Sequence, residues 1–167
     1  MENQPIDFTG RHFHNIDDKG RLMLPAILRD ELAKSVQKEK VYLGYYPGTK
    51  FLSLYPAERY EVLAAAWKDE RRFPSAQMMQ DAQRLFFANI EPVNVDRSGR
   101  ILLPALFRER AGLKTECAVL GVGEKMELWS ASELIAKEAL SYAAWERASA
   151  EENSRPRAPE DVRLPSF

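Results

Sequence analysis

The chain has 167 residues, 45% of them apolar and 29% charged, the composition of one ordinary globular domain or two small ones. Its 24 Lys and Arg nearly balance 25 Asp and Glu, which excludes a uniformly basic nucleic-acid-binding domain but not a local basic face. A lone cysteine, Cys117, excludes an internal disulfide, and no apolar run approaches the roughly 20 residues that cross a bilayer as a helix.

With no charged leader and apolar core at its start, the chain reads as a protein of the cytoplasm. Residues 1–7 form a short extension. The first repeat, 8–72, then carries Asp17-Asp18-Lys19-Gly20-Arg21-Leu22-Met23-Leu24-Pro25-Ala26-Ile27-Leu28-Arg29. Asp and Gly around two polar residues suit a tight turn, in which Asp accepts backbone N–H bonds and Gly takes a positive φ. Three apolar residues follow as a short buried strand, and the proline suits the first position of a helix. Val41–Tyr45 and Phe51–Tyr55, joined through Pro47-Gly48-Thr49-Lys50, read as a hairpin. Tyr60, Leu63, Ala64 and Trp67 then recur on one face of an amphipathic helix.

Phe73-Pro74-Ser75 breaks the chain and opens a connecting segment, 73–90, with a helix that turns Met78, Ala82, Leu85 and Phe86 to one side. The second repeat, 91–149, starts again with Asp96-Arg97-Ser98-Gly99-Arg100-Ile101-Leu102-Leu103-Pro104-Ala105-Leu106-Phe107-Arg108. Across the thirteen positions seven residues are identical to the first copy and four more are apolar in both, which marks an internal duplication. Ala118–Val122 and Met126–Trp129 give the second hairpin. Ser130-Ala131-Ser132-Glu133 has capping-box spacing and opens a helix expected to turn Leu134, Ile135, Ala139 and Tyr142 inward. From about residue 150 to 167 a Glu-, Arg-, Pro- and Ser-rich tail reads as unstructured. Each half is too small to bury much core alone, so the two are expected to share one α+β barrel.

Signs of enzyme chemistry are scarce. There is no phosphate-binding loop and no H-E-x-x-H, and Gly121-Val122-Gly123 lacks both a third glycine and a following helix. His12 and His14 alternate on one strand face but bring no further metal ligands with them. Cys117 lies in an apolar strand as a small core residue. Asp17 and Asp18 are paired carboxylates, yet only Asp17 recurs, as Asp96, which favours a turn role over a hydrolytic one. Neither a catalytic residue, a metal nor a cofactor is therefore expected.

Charge is unevenly distributed. Phe8–Arg29 sums to +2 and Arg97–Lys114 to +4, leaving −7 for the remainder. Positive charge gathered around the repeated motif is the pattern of a protein with one anion-facing side. Arg21 and Arg100 admit two compatible readings. Either they pair with Asp17 and Asp96 merely to fix the turn, or the Asp orients a planar guanidinium toward phosphate or a guanine edge. Lys19 and Arg97, inside the turns, could add phosphate contacts. The corresponding alternatives for the whole protein are a DNA-binding regulator and an oligomeric protein-binding scaffold.

At these residues the chain resembles the MraZ family, bacterial transcriptional regulators with tandem SpoVT/AbrB-like domains. The doubled Asp-x-x-Gly-Arg turn followed by apolar-Leu-Pro-Ala matches the family's D-x-x-x-R motif. Phe8-Thr9-Gly10 resembles its start, Arg84–Asn89 its inter-repeat helix, and Leu120–Gly123 with Glu127-Leu128-Trp129 its second hairpin. The resemblance implies a duplicated AbrB-like swapped-hairpin β-barrel with peripheral helices, assembled into a homo-oligomeric ring. It also implies binding to repeated promoter boxes on double-stranded DNA upstream of the division and cell-wall gene cluster, the protein's own promoter included, and hence a nucleoid-associated place in the cytoplasm. The implied DNA contacts are Arg21 and Arg100, with Lys19 and Arg97 beside them and Asp17, Gly20, Asp96 and Gly99 supporting the turns.

Overall fold

Each motif copy passes from a tight turn through a three-residue strand to a proline that starts a helix. In the computed structural model, which describes residues 5–154, the first copy gives β2 (Arg21–Met23) and α1 (Ala26–Leu32). The second gives β6 (Arg100–Leu102) and α4 (Ala105–Arg110). Pro25 and Pro104 have extended ψ values of 138° and 141°, so they stand at the N-cap, one position before the helical one expected for them.

The remaining elements repeat in the same order. The first half holds β1 (Arg11–Asn15), then β3 (Lys40–Tyr45), β4 (Phe51–Pro56) and α2 (Ala57–Lys68) after α1. A 3₁₀ turn at Glu70–Arg72 and α3 (Ala76–Phe87) connect the halves. The second half holds β5 (Ile90–Asn94), then β7 (Glu116–Gly121), β8 (Met126–Ser130) and α5 (Ala131–Ser154) after α4. The two expected hairpins are present as β3–β4 and β7–β8, both antiparallel.

Pairing between the halves could not be read from either copy alone. The six-stranded sheet runs β1-β7-β8-β4-β3-β5. The first strand of each repeat therefore lies against the hairpin of the other: β1 on β7, with His14 opposite Cys117, and β5 on β3, with Val93 opposite Val41. The hairpins meet at β4–β8, where Phe51 stands opposite Trp129 and their rings stack with centroids 4.6 Å apart. Pro92, which cannot donate to a ladder, is accommodated because β5 ends the sheet. Strands β2 and β6 form a separate antiparallel ribbon. The result is an α+β fold with one six-stranded and one two-stranded antiparallel sheet.

One core serves both repeats. Leu22, Leu24, Leu28 and Leu43 from the first pack in the same cluster as Ile101, Leu103, Val119 and Met126 from the second. The α2 stripe is as the spacing predicts: Tyr60 stacks on Tyr42 at 3.7 Å between centroids, and Trp67 on Phe86 at 5.1 Å. The α3 stripe is as expected at Ala82 and Phe86 and differs at its other two positions. Met78 and Leu85 are exposed, and Met79, Ala82, Gln83 and Phe86 face inward. Ser75 caps this helix by accepting from the Met78 N–H at 3.2 Å, and the inward face is held on α2 by Gln83 Nε2, which donates to the Trp67 carbonyl at 3.0 Å, and by the Trp67–Phe86 stack.

The chain divides into two compact units, Met1–Glu133 and Leu134–Phe167. Ser130 accepts from the Glu133 N–H at 3.4 Å, the expected half of a capping box. Of the four α5 residues expected inward, Leu134 is buried, whereas Ile135, Ala139 and Tyr142 are exposed. Residues 150–154 continue α5, so the expected unstructured tail does not begin at 150; its remainder lies outside the described residues, as do 1–4 of the extension.

Candidate nucleic-acid interface

The two motif turns close with the same set of bonds. In the first, the Gly20 N–H donates to the Asp17 carbonyl at 2.9 Å, and Gly20 takes φ +80°. Asp17 Oδ1 accepts from the backbone N–H groups of Lys19 (3.0 Å) and Arg21 (2.9 Å), while Oδ2 accepts from Arg21 Nε at 2.7 Å. In the second, Gly99 also has φ +80°, and its N–H donates to the Asp96 carbonyl at 2.8 Å. Asp96 Oδ1 accepts from Ser98 (2.8 Å) and Arg100 (3.0 Å), and Oδ2 accepts from Arg100 Nε at 2.9 Å. Two unequal sequences between Asp and Gly thus give one geometry, because the only side chains in these bonds are those of Asp and Arg, and Lys19 and Ser98 contribute backbone N–H groups alone.

Both carboxyls are held below their ordinary range. The leading cause is the backbone N–H of Arg21 at Asp17 and of Arg100 at Asp96; burial opposes it, and the bonded guanidinium adds to it. Each ion pair is about one-third exposed, with side-chain values of 32% and 34% for Arg21 and Asp17 and 33% and 41% for Arg100 and Asp96. Such a pair adds little stability. Its effect is directional: Nε is tied down, and among the described residues neither guanidinium makes a second hydrogen bond through its terminal nitrogens. The structural pairing with Asp17 and Asp96 is therefore present in both turns, and about a third of each arginine side chain stays in solvent. Lys19 and Arg97 are exposed at the turns and make no ion pair among the described residues.

The turns are bound to one another through the ribbon. Arg21 stands opposite Leu102, Leu22 opposite Ile101, and Met23 opposite Arg100. The ladder extends at both ends, with the Leu24 N–H donating to the Gly99 carbonyl (3.0 Å) and the Leu103 N–H to the Gly20 carbonyl (2.9 Å). Arg21 and Arg100 are diagonal neighbours on this ribbon, so their Cα atoms lie about 8 Å apart. The expectation of a wholly buried apolar strand is corrected here. Leu22 and Ile101 are fully buried, but Leu102 is 57% exposed and Met23 is half-buried, because a ribbon covered on one side keeps every second residue in solvent.

Arg29 and Arg108 are among the motif identities, yet the sequence alone assigns them no role. Each lies against the turn glycine of the opposite repeat. A Cβ on Gly20 would meet the Arg108 guanidinium at 3.1 Å, and one on Gly99 would collide with that of Arg29. Arg108 Nε also donates to the Leu103 carbonyl at 3.1 Å, whereas Arg29 Nε is buried without a partner among the described residues. The turn glycines therefore have a steric duty toward the other repeat besides their positive φ.

The remaining candidate residues lie away from the two turns or make none of their bonds. His12 and His14 share the half-buried face of β1, and no cluster of three or more metal-ligating side chains occurs among the described residues. Burial pushes the Cys117 thiol up to about 12. Asp18 is exposed in its turn. A cleft of about 270 Å³ lined by Lys34, Glu58, Arg59 and Glu124 holds titratable groups, but Lys34 and Arg59 are paired with Glu31 and Glu124, and neither Asp17 nor Asp18 reaches it.

Comparison with known proteins agrees with the doubled geometry. The family model described as "MraZ protein, putative antitoxin-like" matches residues 8–83 and again 86–162. The chain belongs to the MraZ family. It is 39% identical over 127 residues to the transcriptional regulator MraZ of Marinomonas sp. (strain MWYL1), covering 75% of this chain and 82% of that relative. It is 37% identical over 124 residues to that of Marinobacter nauticus, covering 74% and 81%. The MraZ regulator of Thermobifida fusca is 34% identical over 125 residues, covering 74% and 81%. In this MraZ-family chain the two matched segments coincide with the two Asp-held arginines, one in each.

Proposed function

We propose that this chain is a sequence-specific DNA-binding regulator of transcription that acts through Arg21 and Arg100, with Lys19 and Arg97 gripping adjacent phosphates. The observation that carries this reading is the pair of guanidinium groups fixed at Nε by Asp17 and Asp96, with their terminal nitrogens left to donate. A planar fork held in one direction suits a guanine edge, and a two-stranded ribbon fits the major groove. The relatives named as transcriptional regulators support the same role.

In this reading, repeats 8–72 and 91–149, joined through 73–90, enclose one swapped-hairpin barrel, which the exchange of β1 and β5 between hairpins supports. Copies assemble as a ring on repeated boxes upstream of the division and cell-wall gene cluster, at the nucleoid in the cytoplasm. Four cationic side chains per copy bind DNA weakly, and several copies on neighbouring boxes raise avidity by roughly 10²–10⁴. Among the described residues no helix is long and apolar enough to cross a membrane.

The test is footprinting on DNA upstream of the protein's own gene with the chain and its Arg21→Ala and Arg100→Ala variants, in a salt titration. Protection confined to repeated boxes, lost in both variants while fold and assembly size persist, is the expected result. Folded variants with unchanged affinity would instead make the arginines structural and the protein a scaffold.

A further inference from the structure

We infer that Leu102 and Met23 are specificity-determining residues that contact the 5-methyl groups of thymines beside the bases met by Arg21 and Arg100. The inference rests on the DNA-binding reading above and deepens it.

The outward face of the β2–β6 ribbon is made of four side chains. Arg21 stands directly opposite Leu102 and Arg100 directly opposite Met23, so each guanidinium has an apolar neighbour across the ribbon. A single exposed leucine on a protein surface needs no explanation. Here the apolar residue recurs at the same position of both repeats, on the one face that carries the motif arginines, while Leu22 and Ile101 fill the core beneath. Folding does not require Leu102 to be apolar, since it is 57% exposed.

The surroundings say what covers this face. Residues 17–29 and 96–108, which hold both turns, the ribbon and the two seated arginines, sum to +3, although the whole chain is −1. Both motif carboxylates are already occupied by backbone N–H groups and by Nε. A polyanion is the complementary occupant, and an apolar group on its surface must answer Leu102 and Met23. On the edges of the major groove the thymine methyl is that group. The spacing agrees: side chains on one strand face recur about every 6.8 Å, or two base steps, and the facing residue on the partner strand lies about 5 Å away. An arginine and its facing apolar residue therefore address neighbouring base pairs. A local two-fold through the Leu22–Ile101 pair relates Arg21–Leu102 to Arg100–Met23, so each box read by one ribbon should hold two such steps.

The test replaces thymines one at a time by deoxyuridine, which removes only the methyl, in duplexes carrying the footprinted box. Wild-type affinity should fall about 3- to 5-fold at one or two positions next to guanines, the size of losing one methyl from an apolar contact. Leu102→Ala should weaken binding to the thymine duplex by a similar factor and lose its response to deoxyuridine at one of those positions. Met23→Ala should do so at the other. Wild-type protein indifferent to deoxyuridine throughout overturns this inference and leaves the arginine reading standing. Variants that keep the full wild-type response at every position overturn it too. Absence of any specific DNA binding overturns both.

Discussion

Replacing Gly99 by alanine tests the cross-seating of the turns. The substitution has two separable costs. At φ +80° an L side chain is disfavoured by about 1–2 kcal/mol. The new methyl would also collide with the Arg29 guanidinium, which must leave its seat under the turn, adding about 1 kcal/mol of lost packing. Together these lower the melting temperature by roughly 4–12 °C for a chain of this size. Gly20→Ala should be milder, because it shares the φ of +80° but approaches Arg108 only to 3.1 Å. Thermal unfolding of Gly99→Ala, Arg29→Ala and the double variant, at one protein concentration, isolates the steric part. With Arg29 truncated, Gly99→Ala should retain only its dihedral cost, a coupling of about 1 kcal/mol. Equal costs in both backgrounds, or a Gly20→Ala loss as large as that of Gly99→Ala, would refute the seating.

The motif carboxyls set an acid limit for the turns. Both are held below the ordinary Asp value of 3.8, so their contribution is complete above it and disappears as pH falls through the depressed folded values. NMR titration of Asp17 and Asp96 should show low midpoints that return toward 3.8 in Arg21→Ala and Arg100→Ala, with the remaining depression due to the backbone N–H bonds. Cys117, buried and pushed up to about 12, should resist a thiol reagent at neutral pH in the folded protein and react fully in denaturant.

What was legible in the sequence was local. The Asp-x-x-Gly-Arg turns, both hairpins and the α2 stripe each follow from residues within one or two turns of chain, and the structure has them. On α3 the apolar spacing gives Ala82 and Phe86 correctly, but Gln83 faces inward in place of Leu85 because its amide is satisfied by the Trp67 carbonyl, a partner on another helix that no local pattern reveals. Pairing across the repeats was invisible because His14 and Cys117 meet through backbone bonds that any residue can make. The same distance hid the duties of Arg29 and Arg108, each of which serves a glycine in the other repeat. Leu102 and Ile101 are alike in apolar character, and only the one-sided covering of the ribbon, which no local pattern shows, leaves the first in solvent and buries the second.

The exchange of first strands has a bearing on how the chain is born. β1 is made early, but the strand that completes its hydrogen bonds begins at Glu116, about 100 residues later. At usual rates of synthesis this leaves an edge-strand segment waiting roughly 5–20 s outside the ribosome before its partner emerges. The nascent first half must therefore stay soluble without its final neighbour, and Arg11, His12, His14 and Asn15 leave Phe13 as the one large apolar group in that strand, a composition that discourages premature pairing with other chains.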